Sequence, residues 1–418
     1  MASCAAVTDS IEIIFEARAA YIAGRGLMHD AAVLVRGGLI VDIVPRSATA
    51  DLSCRRVETE LLLPGFINAH CHVEYSHLRG CLPAGVPFPD WLAAMYDAKR
   101  HGTDEDFAAG AREGVKQLLA GGTTTVVDSH SRPATAAILA ESPLRYVALF
   151  EMIGLDDARA EDAMGLLRQR LAAPSAGRCI ASGVNPHAPY TVGPALRARL
   201  RELLGERPEL PCGWHLAESE AEMEMLASGA GPLADFLDSH GLPRAFETAP
   251  GCGAVQYLER EGLLASCDAA FHLNFPAEGD AAVFAPPRLI VHCPGTHRFF
   301  ARPPFPMWKM LSCGANIALG TDSLASGESL SMLKQLRLAA SAFSFLSGVQ
   351  LLDLATRNPA RWRPLAALKP PVGIIAPGAC ADFASLTAGP GVLADLREIL
   401  VHPATRVAAT FIAGEQVA

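Results

Sequence analysis

The feature that most constrains the fold is an alternation that repeats from residue 61 to about residue 325. Short apolar runs that end in polar residues are followed by stretches with helical periodicity. The runs occupy residues 61–72, 123–131, 145–154, 179–187, 211–218, 269–274, 289–294 and 316–323. The intervening stretches predict helices, including 106–120, 160–172, 195–204, 220–240 and 253–264. Strands that alternate with helices pair in parallel, and eight such units in roughly 260 residues predict an α/β fold, a (β/α)8 TIM-type barrel.

The two ends of the chain follow a different pattern. Residues 31–44 alternate around Gly37 and Gly38, which predicts a hairpin, and residues 372–386 and 407–412 predict further strands. We therefore expect a small β-sandwich domain built from both chain termini. The predicted domains are a first part of the sandwich at 1–60, the barrel at 61–367 and the second part of the sandwich at 368–418. Residues 324–362 are expected to close the barrel with helices.

Composition excludes several classes of protein. Half of the 418 residues are hydrophobic and 19% are charged, as in a globular protein. The net charge of −9 and the absence of a Lys/Arg run argue against a nucleic-acid partner. No apolar window approaches the roughly 20 residues of a membrane helix, and the N-terminus lacks a secretory pattern. The eleven cysteines are scattered, with no Cys-x-x-Cys, which predicts reduced thiols in a cytoplasmic protein.

His70 and His72 close the first apolar run as His-x-His. Residues i and i+2 of a strand project to the same face, so both imidazoles point the same way. Two adjacent imidazoles are half of a metal site. Taken alone, the pair is equally compatible with two ordinary histidines, one of them capping a turn.

Polar residues close seven of the eight runs, and this recurrence favours a functional site. In a (β/α)8 barrel the active site forms where the strands reach their C-terminal ends. Each residue alone is compatible with capping or core packing, but their convergence on one barrel mouth is hard to explain by packing. The residues are His70, His72, Asp128, Ser129, His130, His187, His215, Glu218, His272, His292 and Asp322.

Three histidines and one aspartate suit a divalent metal. The predicted ligands are His70, His72, His215 and Asp322. They leave a position open for water, whose pKa a bound metal lowers towards neutrality, so that hydroxide forms at physiological pH.

Two further residues are candidates for catalysis. Glu218 lies three residues after His215 and is a candidate general base and acid, the alternative being a favourable charge at the start of the next helix. His272 is a candidate for orienting the hydroxide or polarising the substrate.

A single metal ion is expected rather than two. Bridged two-metal sites of this kind use a carboxylated lysine from a middle strand, and the sequence has no lysine between Lys116 and Lys309. Zinc is preferred to iron as the ion, although ligand type alone does not separate them. His130, His187, His292 and His297 remain for contacts to substrate or for hydrogen bonds that support the ligands.

Taken together, these motifs resemble the amidohydrolase superfamily, in particular its deaminase and chlorohydrolase branch. The resemblance runs in order along nearly the whole chain, through residues 64–72, 186–192, 215–218, 292–294 and 319–323. It implies that His70, His72, His215 and Asp322 are metal ligands, that Glu218 is the proton shuttle and that His272 assists the hydroxide.

Within that branch, residues 74–80, 88–92 and 292–300 resemble the aminodeoxyfutalosine deaminases of menaquinone synthesis. The loop after the first strand is expected to lie over the barrel mouth and to bind substrate through Glu74, Arg79 and Trp91. His130, His187 and His297 are further substrate-binding candidates. For Arg79 the alternative is a solvated loop charge, and for Trp91 it is a helix start packed on the barrel.

The sequence thus predicts a metal-dependent aminohydrolase, in which metal-bound hydroxide removes ammonia from a 6-aminopurine-type nucleoside such as aminodeoxyfutalosine. One alternative is a hydrolase with the same site that acts on another C–N or C–Cl bond, such as a guanine or pterin deaminase or a chlorohydrolase. A second is a non-catalytic barrel scaffold. The expected partner is a small-molecule substrate, and a homodimer is left open.

Overall fold

The computed structural model describes residues 11–389, 391 and 393–418. The described strands number fifteen in chain order. They are β1 (Ile13–Ile22), β2 (Gly26–Arg36), β3 (Leu39–Pro45), β4 (Arg55–Pro64), β5 (Phe66–Cys71), β6 (Thr123–His130), β7 (Arg145–Met152), β8 (Arg178–Pro186), β9 (Gly213–Leu216), β10 (Ala269–His272), β11 (Leu289–His292), β12 (Ile317–Leu319), β13 (Phe383–Thr387), β14 (Arg406–Ile412) and β15 (Glu415–Gln416).

The α-helices lie mainly between the central strands. They are α1 (Phe88–His101), α2 (Asp104–Ala120), α3 (Pro133–Glu141), α4 (Ala160–Ala172), α5 (Pro194–Glu206), α6 (Glu220–Ser228), α7 (Pro232–Ser239), α8 (Ala254–Arg260), α9 (Pro294–Phe299), α10 (Met307–Ser312), α11 (Met332–Ala342), α12 (Gly348–Leu354), α13 (Arg357–Ala360), α14 (Arg363–Ala366) and α15 (Leu396–Val401). Short 3₁₀ helices cover Arg46–Thr49, Val73–Leu78, Asp157–Arg159, Leu264–Ser266 and Asp280–Phe284. Within the described part of the chain, none of the helices is long and apolar enough to cross a membrane.

All eight predicted central strands are present, and they pair in parallel. They form two four-stranded sheets, in the orders β5-β6-β7-β8 and β12-β11-β10-β9. Isolated parallel bridges join the two sheets at both seams, Val184 to Cys212 between β8 and β9 and Cys71 to Asp322 after β12. The parallel α/β architecture is confirmed, although the pairing is not one continuous eight-stranded ladder.

The strands of both termini meet in one mixed sheet. Its order is β15-β14-β13-β4-β1-β2-β3, so strands from before residue 65 and after residue 380 lie side by side. The predicted hairpin is present, since β2 and β3 pair antiparallel across Gly37 and Gly38, whose φ values are 58° and 73°. The described strands of this part form a single seven-stranded sheet, so the two-layered sandwich is not confirmed.

The first predicted central strand is divided, which corrects its start. Residues 61–64 end β4, where they pair with β13 in the terminal sheet. Only β5 continues into the parallel sheet, beside β6. The change of sheet falls at Gly65, where an added Cβ would lie 2.3 Å from Thr124 Oγ1. One continuous apolar run therefore contributes strands to two different sheets. Sequence periodicity does not reveal where the run divides.

The helix predicted at 220–240 is two helices, α6 and α7. Helix α6 ends at Gly229, whose φ of 71° is the left-handed conformation of a helix C-cap. Gly231 follows with a φ of 102°, and Pro232 then starts α7. The remaining predicted helices are present with shifts of a few residues at their ends.

The seam between β8 and β9 leaves no room at Gly183. A Cβ on this residue would lie 2.2 Å from the backbone oxygen of Pro211, which accepts the seam hydrogen bond from Val184 N. Backbone cannot rotate away as a side chain can. We predict that Gly183→Ala lowers the free energy of unfolding by about 1–3 kcal/mol, the usual cost of overpacking, as measured by denaturant titration.

Gly165→Ala is the matched control for that prediction. Gly165 is exposed within α4, and apart from the backbone of that helix no described atom lies within 4 Å of an added Cβ. Alanine is the better helix former, so this variant should gain about 0.5–1 kcal/mol. Equal stability of the two variants would contradict the tight seam.

Candidate active site

The predicted site residues come together where the parallel strands end. His70 and His72 lie at the end of β5, His215 in β9, His272 at the end of β10 and Asp322 just after β12. The backbone at these ends is strained, since Ala217, His272 and Asp322 have φ values of 46°, 70° and 57°. Left-handed conformations of non-glycine residues are costly and cluster at functional sites.

The imidazoles and the carboxylate converge on one point. His72 Nε2 lies 3.4 Å from His215 Nε2. Asp322 Oδ1 lies 3.7 Å from His70 Nε2 and 3.8 Å from His72 Nε2. Ligands bound at about 2.0–2.1 Å in a tetrahedral site are roughly 3.4 Å apart, so this spacing is close to that of a metal-bound set. His70, His272 and Asp322 form a second, overlapping group with ligand atoms within 4.8 Å of one another.

Hydrogen bonds to the outer atoms turn the ligand atoms inward. His215 Nδ1 donates to the backbone oxygen of His187 at 3.0 Å, which leaves the Nε2 lone pair free. Asp322 Oδ2 accepts from Thr296 Oγ1 at 3.0 Å and from Ser326 Oγ at 2.8 Å, which leaves Oδ1 for the cluster. Support of this kind fixes the orientation of metal ligands.

The donor set fits a divalent ion. Burial, reinforced by the neighbouring imidazoles, holds the pKa values of His70, His215 and His272 well below the ordinary value, so these rings are neutral. Both ring nitrogens of His70 are buried without a hydrogen-bond partner among the described residues. An imidazole lone pair left unsatisfied in the interior is costly, and a cation would satisfy the lone pair of each neutral ring.

Glu218 lies beside this cluster, with its carboxylate on the cavity wall. Its Oε1 lies 3.9 Å from His272 Nε2 and accepts a hydrogen bond from Arg302 Nη2 at 2.9 Å. Burial raises the pKa of Glu218 to about 7, although Arg302 acts in the opposite direction. A carboxyl group that titrates near neutrality can both accept and donate a proton.

Two residues that support Glu218 were missed by sequence reasoning. Glu222 accepts hydrogen bonds from the backbone nitrogens of Ala217 at 3.0 Å and Glu218 at 2.7 Å, which fixes the turn that presents Glu218. Burial raises the pKa of Glu222 to about 8. A sequence signal exists, because Ser219 and Glu222 have capping-box spacing.

Arg302 is the second missed residue. Its guanidinium lies 5.3 Å from the ring centroid of Phe88 and 4.8 Å from that of Phe300, and its side chain is 5% exposed. It follows Ala301, which has a left-handed φ of 48°. No local pattern marks it, because Glu218 is 84 positions earlier in the chain.

A cavity of about 640 Å³ opens above the cluster. Its wall includes His72, His215, Glu218, His272 and Asp322. Of the predicted substrate-binding residues, the structure places His187 and Trp91 on this wall.

His187 and Trp91 are each held in place by a hydrogen bond. His187 Nδ1 contacts Thr191 Oγ1 at 2.9 Å, and burial lowers the pKa of His187 to about 4, so the ring is neutral. Trp91 Nε1 donates to the backbone oxygen of Ala325 at 3.2 Å. Trp91 lies within α1, so the alternative interpretation of Trp91 as a packed helix residue also fits the structure.

Four other predicted substrate-binding residues are placed off this wall. Glu74 is fully buried and accepts hydrogen bonds from the start of α3, including Ser131 Oγ at 2.8 Å and Thr135 Oγ1 at 2.8 Å. Arg79 is exposed, which agrees with the alternative interpretation of Arg79 as a solvated loop charge. The substrate-binding role of these residues stays a prediction that their placement does not favour.

His130 and His297 occupy supporting positions. His130 Nδ1 contacts Asp128 Oδ2 at 2.9 Å. His297 Nδ1 contacts Asn274 Oδ1 at 3.2 Å, and Asn274 Nδ2 donates to the backbone oxygen of Glu218 at 3.0 Å. His297 is therefore linked to Glu218 through Asn274.

Comparison with protein families identifies the group to which this architecture belongs. The model of the Amidohydrolase family matches residues 61–417. The chain belongs to the amidohydrolase family. The membership predicted from the motifs is thus confirmed.

Curated relatives of this amidohydrolase are named as deaminases. A 5-methylthioadenosine/S-adenosylhomocysteine deaminase of Pelotomaculum thermopropionicum is 27% identical over 375 residues, covering 86% of this chain and 80% of the relative. The aminodeoxyfutalosine deaminase of Deinococcus radiodurans is 27% identical over 311 residues, covering 71% and 72%. Among solved structures, an adenosine deaminase from Xanthomonas campestris with bound zinc has a TM-score of 0.76 and 24% identity, covering 97% of this chain and 93% of that one.

Arg302 should lower the pH at which Glu218 ionises. Loss of the cation in Arg302→Met raises the pKa of Glu218, so the acidic limb of the kcat/KM profile should move to higher pH by about 1 unit or more. Arg298→Met is the matched control, because Arg298 is exposed in α9, close in the same segment. An acidic limb that stays in place in Arg302→Met would contradict the pairing.

Proposed function

We propose that this amidohydrolase is a metal-dependent deaminase that releases ammonia from a 6-aminopurine-type nucleoside. The observation that carries the proposal is the convergence of His70, His72, His215 and Asp322 beside a carboxyl group, Glu218, whose pKa is raised to about 7. All but His70 line the same cavity. The names of the curated relatives support this class of substrate.

The chain's own residues divide the chemistry between them. One divalent ion, for which we propose zinc, would be held by His70, His72, His215 and Asp322 and would supply Lewis acidity towards water and the substrate. Glu218 takes the proton of the attacking water and returns it to the departing amine. His272, 3.9 Å from Glu218, would orient the attacking oxygen. His187 presents a neutral ring to a ring nitrogen of the substrate.

The outer part of the cavity supports a nucleoside with an extended apolar appendage. Its wall is largely apolar, with Leu92, Met95, Tyr96, Leu166 and Phe236 among its residues. Arg100 and Arg159 are exposed at its rim, where they can meet a carboxylate. An aromatic acid attached to the sugar matches both features, so aminodeoxyfutalosine is the leading candidate and 5′-methylthioadenosine is the second.

Ammonia release from a set of nucleosides tests the proposal. We expect kcat/KM to decrease from aminodeoxyfutalosine to 5′-methylthioadenosine to adenosine, because each step removes a group that the outer wall would contact. Chloride release from a chlorinated triazine is measured in parallel. Ammonia release from none of the three nucleosides, or chloride release alone, would contradict the deaminase proposal.

Glu218→Gln is the variant that links this activity to the site. The amide keeps the shape of the side chain but cannot shuttle a proton, so kcat should fall by about 10²–10⁴-fold with metal content unchanged. Loss of metal from this variant would instead assign Glu218 a ligand or structural role.

A further inference from the structure

A second polar cluster lies beside His72. Tyr75 of the 3₁₀ helix, Lys99 of α1 and Glu151 of β7 contact one another. Lys99 Nζ donates to Tyr75 Oη at 2.7 Å and to Glu151 Oε2 at 3.2 Å. Tyr75 Oη donates to the same Glu151 oxygen at 3.2 Å. Glu151 Oε2 thus accepts hydrogen bonds from both Lys99 and Tyr75, and neither of these two donors forms a hydrogen bond with Oε1.

The cluster contacts both the face and the edge of the His72 ring. The rings of Tyr75 and His72 are stacked, with centroids 5.3 Å apart and an interplanar angle of 23°. Glu151 Oε1 lies 3.7 Å from His72 Nδ1, a buried atom without a hydrogen-bond partner among the described residues. The other ring nitrogen, Nε2, faces His215 and Asp322.

We propose that Glu151 orients His72 for the metal by accepting the Nδ1–H, and that Lys99 and Tyr75 hold Glu151 for this task. The inference rests on the proposed metal centre. A histidine that binds a metal through one nitrogen usually donates the other N–H to a carboxylate or carbonyl, which fixes the ring. His215 uses the backbone oxygen of His187 in this way. Glu151 is the carboxylate that stands in the corresponding place for His72.

The surroundings of Glu151 explain why Lys99 and Tyr75 are needed. The Glu151 side chain is 2% exposed, and a buried carboxylate without a partner is strongly destabilising. Lys99 supplies the opposite charge from α1, the helix that also places Trp91, Leu92 and Met95 on the cavity wall. The ion pair therefore ties this wall of the cavity to a metal ligand. Glu151 is a positioning residue, since it acts through His72.

Zinc affinity of the full chain is the direct test. Metal-free protein is titrated with zinc against a chromophoric chelator, for the wild type, Glu151→Gln, Lys99→Arg and Tyr75→Phe. Glu151→Gln should weaken zinc binding about 10–100-fold, the usual effect of losing such a partner. Tyr75→Phe keeps the stacked ring and should weaken binding less. Lys99→Arg keeps the cation and should retain most of the affinity.

Glu261→Gln is the matched control. Glu261 pairs with Arg197 at 2.8 Å and lies off the cavity wall, so the same substitution there should leave zinc affinity unchanged. Thermal unfolding of the metal-free proteins separates loss of fold from loss of affinity. If Glu151→Gln does not fold, Glu151→Asp, which keeps the charge but shortens the side chain, carries the same expectation.

The outcomes separate this inference from the proposed function. Wild-type zinc affinity in folded Glu151→Gln, or in its replacement Glu151→Asp, would overturn the role of Glu151 and leave the metal centre standing. A wild-type chain that takes up no zinc would overturn both.

Discussion

The structure depends on a group of buried imidazole rings in which both ring nitrogens of His70 lack a hydrogen-bond partner among the described residues. His70, His72, His215 and His272 surround one point beside Asp322. Buried polar atoms left unpaired cost free energy that a fold of marginal stability cannot readily spare. A divalent cation would satisfy the lone pairs of these rings. The hydrogen bonds on the far side of the proposed ligands would orient the ligand atoms towards that cation.

The proposed ligands also come from both halves of the parallel strand system. His70 and His72 belong to the sheet that starts with β5, whereas His215 belongs to the sheet that contains β9 and β12. Asp322 lies at the seam between the two, where its backbone nitrogen donates to the His70 oxygen at 3.1 Å. An ion held by this set would link the two sheets at the point where strand pairing is reduced to isolated bridges.

What the sequence predicted follows from local regularities. Apolar runs and helical periodicity indicated the eight parallel strands, because each strand carries its own pattern. The polar residues at the ends of seven of the eight runs indicated the proposed ligand set, because barrel strands share one functional end. The change of sheet at Gly65 was not predicted, since the apolar run continues through it.

What the sequence did not predict depends on distant contacts. Arg302 is recognised only through its bond to Glu218, and Lys99 only through Glu151, which is 52 positions away. The third apolar run contains Glu151, but no ligand was predicted there. A role for the Glu151 carboxylate is recognised only from its position beside His72. Glu74 was expected in the substrate pocket. Its carboxylate instead accepts hydrogen bonds from Ser131 and Thr135 around the start of α3, and the position of Glu74 in the loop does not predict these contacts.

The most direct test of the central claim is anomalous diffraction at the zinc edge from crystals of the zinc-loaded chain. The account predicts one peak per chain, about 2.0–2.2 Å from nitrogens of His70, His72 and His215 and from a carboxylate oxygen of Asp322. A peak elsewhere, two peaks in the cavity, or no peak at these residues would contradict it.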